Sequence, residues 1–181
     1  RLREQICDVM ALEGIHAHPD DVVVTVGSQQ AVDLVTRIFC DPGDVVICEA
    51  PSYVGALGVF RAYECDVVHA QMDGEGLIPE ALEQAIVATK ASGRTIKFLY
   101  TIPNYHNPAG VTMTDVRRQA VLEICRQHDI LILEDNPYGL LGFDSDPHRA
   151  LRADEAEGVI YLGSFSKTFA PGFRVGWVLA P

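Results

Sequence analysis

Seven short apolar runs, at 22–26, 45–48, 66–70, 96–100, 130–133, 159–163 and 174–179, alternate with helix-length amphipathic stretches at 28–40, 54–62, 79–91 and 114–128. Most of the runs are continuously apolar, as in Val45-Val46-Ile47-Cys48 and Ile130-Leu131-Ile132-Leu133. Strands buried on both faces read that way. Strand–helix–strand order demands crossovers, and these place helices on both faces of a parallel sheet. The expected fold is therefore α/β: three layers, with a mostly parallel seven-stranded sheet between helices. Local signals agree, since Pro79 stands at a helix start, where its missing N–H costs little, and Thr114 and Asp115 suit a helix opening. The stretch 144–157 reads as the one long polar loop.

Size and composition fit a single domain with a real core: 181 residues, 48% hydrophobic and 22% charged. A formal net charge of −11 argues against a nucleic-acid or anionic-membrane partner for this segment. No apolar stretch approaches the roughly 18 residues of a membrane span. Cys7, Cys40, Cys48, Cys65 and Cys125 are odd in number and lack a C-x-x-C pair. They read as free thiols in a reducing, cytoplasmic compartment rather than as a disulfide frame or a metal site. The first residues, Arg1-Leu2-Arg3-Glu4-Gln5-Ile6, read as the middle of a helix, and Val175-Gly176-Trp177 runs to the end as a strand. The expectation is a fragment of a longer protein.

Ligands of open parallel sheets bind beyond the carboxyl ends of the strands. The chemically suggestive residues of this chain fall there. Lys167 follows the strand at 159–163, with Ser164 and Ser166 just before it and Arg174 seven residues on. A lysine that forms an imine sits in an enclosed site with polar neighbours, and guanidinium and hydroxyls suit a phosphate dianion. Lysine beside a phosphate site suggests pyridoxal phosphate held as a Schiff base. Gly27-Ser28-Gln29 leads into a helix, a natural phosphate seat as well as an ordinary cap. Asp135 ends an apolar strand, where a carboxylate needs a cation or hydrogen bonds, and a protonated pyridine nitrogen would serve. Its neighbour Glu134 points to the opposite face. Asn107, held in an Asn-Pro-Ala-Gly turn, and the hydroxyl of Tyr138 are candidate donors to the ring's phenolic oxygen. Tyr53 could stack on a flat ring or belong to the core. His106 lies near these residues without an evident partner.

In this order, Gly27-Ser28-Gln29-Gln30, Glu49-Ala50-Pro51-Ser52-Tyr53, Asn107-Pro108-Ala109-Gly110, Glu134-Asp135-Asn136-Pro137-Tyr138 and Ser164-Phe165-Ser166-Lys167 with Pro171-Gly172-Phe173-Arg174 resemble the fold-type I pyridoxal-phosphate aminotransferases of class I/II. The aminoadipate/kynurenine aminotransferase group is the nearest likeness. The resemblance implies that residues 1–181 are the large, cofactor-binding domain. It makes Lys167 the imine lysine and proton shuttle, Asp135 the pyridinium partner, Asn107 and Tyr138 donors to the ring oxygen, and Tyr53 the stacking aromatic. Ser28, Gln29, Ser164, Ser166 and Arg174 become the phosphate cradle. The family more often has Thr where Ala109 stands and an acidic residue where Asn136 stands, which bears on subfamily rather than chemistry.

The same resemblance implies an N-terminal arm and a C-terminal small domain outside this segment, the latter with the arginine that grips the substrate carboxylate. It further implies a homodimer and amino acid and 2-oxo acid substrates in a ping-pong transamination. A lyase on the same frame, or the sensing domain of a winged-helix transcription regulator, shares these motifs.

Overall fold

The structure, a computed structural model, describes residues 1–143 and 147–181. Helix α1 (Leu2–Ala11) precedes β1 (Val22–Thr25), α2 (Ser28–Phe39), β2 (Val45–Ala50), α3 (Val54–Ala62) and β3 (Asp66–Asp73). The short β4 (Gly76–Leu77) leads to α4 (Pro79–Ala91), β5 (Ile96–Thr101), α5 (Asp115–His128) and β6 (Leu131–Asp135). Then come α6 (Leu151–Asp154), β7 (Val159–Ser164) and β8 (Gly176–Leu179).

Among the described residues one eight-stranded sheet runs in the order β1-β8-β7-β6-β5-β2-β3-β4. Its centre, from β7 to β3, is parallel, while β8 is antiparallel to both β7 and β1, and β4 is antiparallel to β3. Helices cover both faces. On one side Val32 and Val35 of α2 and Phe60 of α3 pack over Val46, Phe98, Leu133 and Leu162. On the other, Leu82 and Ile86 of α4 and Val121 and Cys125 of α5 pack over Ile47, Leu99 and Ile132. Helix α1 closes the second face at the β8 side through Ile6 and Met10 against Tyr161 and Trp177. Alternation of side chains along each strand sends neighbours to opposite cores.

Four expectations need correction. The sheet has eight strands rather than seven, because Gly76-Leu77 pairs with Met72 and Asp73 in a two-residue ladder too short to register as an apolar run. The last strand begins at Gly176, since Arg174 adopts a left-handed conformation (φ 51°) after a 3-10 turn over Pro171–Phe173. The polar stretch 144–157 contains α6, whose Leu151 is buried against the α5 face, while residues 144–146 lie outside the described residues. The run 22–26 also differs from a strand buried on both faces. β1 is an edge strand, and Val23 and Val24 are exposed.

Candidate active site: a cleft at the carboxyl ends of the strands

All ten residues singled out from the sequence line one cleft, together with Ile102 and Pro137. It opens at the carboxyl ends of β2, β5, β6 and β7, as the sheet rule requires.

One end of the cleft suits an anion. Helix α2 starts at Ser28 behind Gly27 (φ 78°), and no side chain caps it, so its first N–H groups stay available. A side chain at Gly27 would collide with the guanidinium of Arg174. Arg174 Nη1 donates to Ser166 Oγ (3.2 Å) and Nη2 donates to the Val26 carbonyl (3.4 Å). Ser166 N in turn donates to Ser164 Oγ (3.0 Å), which fixes the turn that carries Lys167. The Gln29 side chain is committed to the fold, its Nε2 donating to the Gly55 carbonyl at 2.9 Å. Two serine hydroxyls, a helix start and a guanidinium thus converge on one spot.

The floor is different. Asp135, the last residue of β6, is buried, with Oδ2 accepting from Tyr100 Oη at 2.7 Å. Its Oδ1 is buried without a partner among the described residues. Burial pushes the carboxyl up to about 6, against the Tyr100 hydrogen bond, which lowers it. Glu134 points to the other face, as alternation requires, and accepts from Leu151 N (3.0 Å) and Arg152 N (2.9 Å). Asn107 Nδ2 donates to Tyr138 Oη at 3.5 Å, which brings the two donors together beside the floor. The half-buried Tyr53 ring lies so close over Gly55 that a Cβ there would overlap it.

Lys167 lines the cleft and has no hydrogen-bond partner among the described residues, but it is exposed in this chain, not enclosed.

Three buried partnerships were not legible in the sequence. Tyr100 holds Asp135. His106 Nε2 lies 3.0 Å from Glu49 Oε2 without hydrogen-bond geometry, while Ala109 N donates to His106 Nδ1 at 3.3 Å. Glu49 also accepts from Thr101 Oγ1 (2.8 Å) and Ile102 N (2.9 Å) and thereby ties β2 to the end of β5. Behind the floor, Glu13 accepts from Asn136 Nδ2 and Tyr161 Oη, both at 2.6 Å.

An exposed amine, a buried carboxylate with one oxygen unmatched and an anion cradle, set at the strand ends of a helix-covered parallel sheet, define the fold-type I class of pyridoxal phosphate proteins. The orphaned Oδ1 of Asp135 fits a ring N–H, and the cradle fits a phosphate dianion.

The chain belongs to the aminotransferase class I and II family, whose model matches residues 1–181. Pyridoxal phosphate is accordingly its cofactor. Aromatic-amino-acid aminotransferase 1 of Thermococcus litoralis is 47% identical over 161 residues, spanning 88% of this chain and 39% of the relative. Kynurenine aminotransferase of Pyrococcus horikoshii, solved in complex with PMP, superposes with a TM-score of 0.83 at 44% identity, over 87% of this chain and 39% of that one. This likeness agrees with the group expected from the motifs. An uncharacterized HTH-type transcriptional regulator of Escherichia coli (strain K12) is 38% identical over 179 residues, 98% of this chain and 37% of the relative. The chain spans about two fifths of the length of these relatives.

Proposed function

We propose that this chain is the cofactor-holding part of an aminotransferase that moves an amino group from an amino acid to a 2-oxo acid in two half-reactions. When bound, the cofactor supplies an aldehyde that takes up amines and a ring that draws electrons from the substrate's α-carbon. Lys167 Nζ is the amine that would hold the aldehyde, and the same nitrogen would move a proton at the substrate's α-carbon. Asp135 Oδ1 accepts the ring N–H and keeps the ring cationic. Asn107 Nδ2 and Tyr138 Oη donate toward the ring's phenolic oxygen, and the Tyr53 ring covers its face. Ser28, Gln29, Ser164, Ser166 and Arg174 hold the phosphate. For Gln29 the donor is its backbone N–H at the helix start, because its side-chain amide is engaged by Gly55.

The observation that carries this reading is the unpartnered Oδ1 of a buried Asp135 in the cleft that Lys167 lines. A buried acceptor without a partner is costly, and a cationic N–H removes that cost. Two exposed rings beside the lysine turn, Phe169 and Phe173, stack with centroids 5.7 Å apart and support a subunit boundary next to the site. We place the full-length protein as a homodimer in the cytoplasm, a placement in keeping with its five free cysteines.

The likeness to an HTH-type regulator supports a second reading, in which the same cleft senses an amino compound and governs DNA binding. Full-length protein incubated with pyridoxal phosphate and a panel of amino acids separates the two. Formation of a 2-oxo acid supports the enzyme. Cofactor binding with no 2-oxo acid from any amino acid, together with ligand-dependent DNA binding, supports the regulator.

A further inference from the structure

We propose that Tyr100 is a positioning residue of the cofactor site, acting through Asp135. Its hydroxyl occupies Oδ2, reserves Oδ1 for the ring N–H and keeps the carboxylate ready to receive a cation. The inference rests on the assignment of Asp135 as the partner of the ring nitrogen.

Both side chains are fully or nearly fully buried, and the hydrogen bond between them is 2.7 Å long. Tyr100 lies on β5 and Asp135 on β6, adjacent parallel strands in which Tyr100 pairs with Leu133. The phenol ring packs edge-on against Phe60 at 5.5 Å, which fixes where its hydroxyl can reach. A carboxylate in this position has two acceptor oxygens. With Tyr100 on one of them, the other is left without a donor among the described residues. A hydroxyl can donate to a carboxylate, and that bond favours the ionised form. Without it, burial alone acts on Asp135, and a neutral acid offers a cationic ring no countercharge. The other titratable groups facing the pair are Cys48 and Glu49 of β2, on the Tyr100 side, and Tyr53, Tyr138, Lys167 and Arg174, which share the cleft.

Tyr161 supplies an internal control. It is a second buried tyrosine whose hydroxyl donates to a buried carboxylate, Glu13, at 2.6 Å, away from Asp135. Tyr100→Phe and Tyr161→Phe therefore each remove one buried hydroxyl, but only the first touches Asp135.

The test uses full-length apoprotein with 13C-labelled aspartate carboxyls, followed by NMR across pH, with the Asp135 signal assigned by Asp135→Asn. Tyr100→Phe should raise the pH at which Asp135 takes up its proton by about one unit, a tenfold change in proton affinity. Tyr161→Phe should leave it in place. Pyridoxal phosphate affinity of Tyr100→Phe should fall severalfold below wild type near pH 6 and converge with it near pH 9. Should Tyr100→Phe not fold, 3-fluorotyrosine placed at position 100, a stronger donor, should move the Asp135 titration down. An unmoved Asp135 titration in the folded variant, or with fluorotyrosine, overturns the inference even if the cofactor binds normally. Failure of wild-type protein to bind pyridoxal phosphate overturns it from the other side, together with the proposed function.

Discussion

The two sides of strand β6 carry adjacent carboxylates with opposite fates. Glu134 and Asp135 are both buried, and burial raises both, to about 7 and about 6. On the α5 and α6 side, Glu134 is answered by two backbone N–H groups from the start of α6, and Arg118 adds a favourable charge. On the cleft side, Asp135 is answered by one hydroxyl and keeps an oxygen unmatched. Burial therefore does not distinguish the two acids. The unfilled hydrogen-bonding capacity does.

The largest effect expected from this contrast is catalytic. In the full-length protein, Asp135→Asn should retain cofactor attachment, because Lys167 and the cradle remain. It should slow removal of the substrate α-proton by a hundred- to a thousandfold, the cost of about 2.7–4 kcal/mol for losing a charge interaction in a dry site. Glu134→Gln should change the same single-turnover rate only slightly. A larger defect in Glu134→Gln would mean that the ring is placed on the wrong side of the strand.

Stability should reverse the order. Glu134→Gln puts an NH2 where two N–H groups now find acceptors, leaving a buried donor unanswered at a cost of about 1–3 kcal/mol. Thermal unfolding of the apoprotein should show that loss, whereas Asp135→Asn should be neutral or mildly stabilising. Equal losses in both variants would erase the contrast. Glu49, a third buried carboxylate, held by Thr101 Oγ1 and Ile102 N, should behave like Glu134 when changed to Gln.

The pH dependence is a smaller signal and has a definite sign. Both acids hold their proton more tightly folded than unfolded, where their ordinary values are 4.5 and 3.8. Folded protein therefore binds more protons across the windows from 4.5 to about 7 for Glu134 and from 3.8 to about 6 for Asp135. Apoprotein stability contributed by these groups is complete below those windows and falls as pH rises through them. Asp135→Asn should flatten the lower part of that fall and Glu134→Gln the upper part, measured by denaturant unfolding at a series of pH values. Stability that rises with pH through the window in wild type, and is altered by neither variant, would contradict both assignments.

The sequence exposed one side of this contrast and hid the other. Strand alternation alone separated Asp135 from Glu134, and the rule of strand carboxyl ends gathered Lys167, Arg174, Ser28 and Asn107 into one place across 147 positions. Such signals are local, and the parallel sheet turns them into a site. Tyr100 was invisible because, within Ile96-Lys97-Phe98-Leu99-Tyr100, it looks like one more core aromatic. Only the β5–β6 register gives its hydroxyl a partner 35 residues away. The Glu13–Asn136 bond, between residues 123 apart, and the His106–Glu49 pair are hidden for the same reason. Side-chain pairing between distant segments leaves no periodicity to read. The antiparallel β8 was likewise not foreseen, since its apolar run looks the same in either direction.

The central claim is that this cleft holds pyridoxal phosphate through Lys167, and the chain offers only two other lysines to test it against. Lys90 donates to the His128 carbonyl, at 2.7 Å, and Lys97 pairs with Asp44 at 3.1 Å, and neither lines the cleft. Full-length protein loaded with cofactor, reduced with borohydride, digested and mapped by mass spectrometry should carry the pyridoxyl group on Lys167. A label on Lys90 or Lys97, or no label on this segment, would contradict the account.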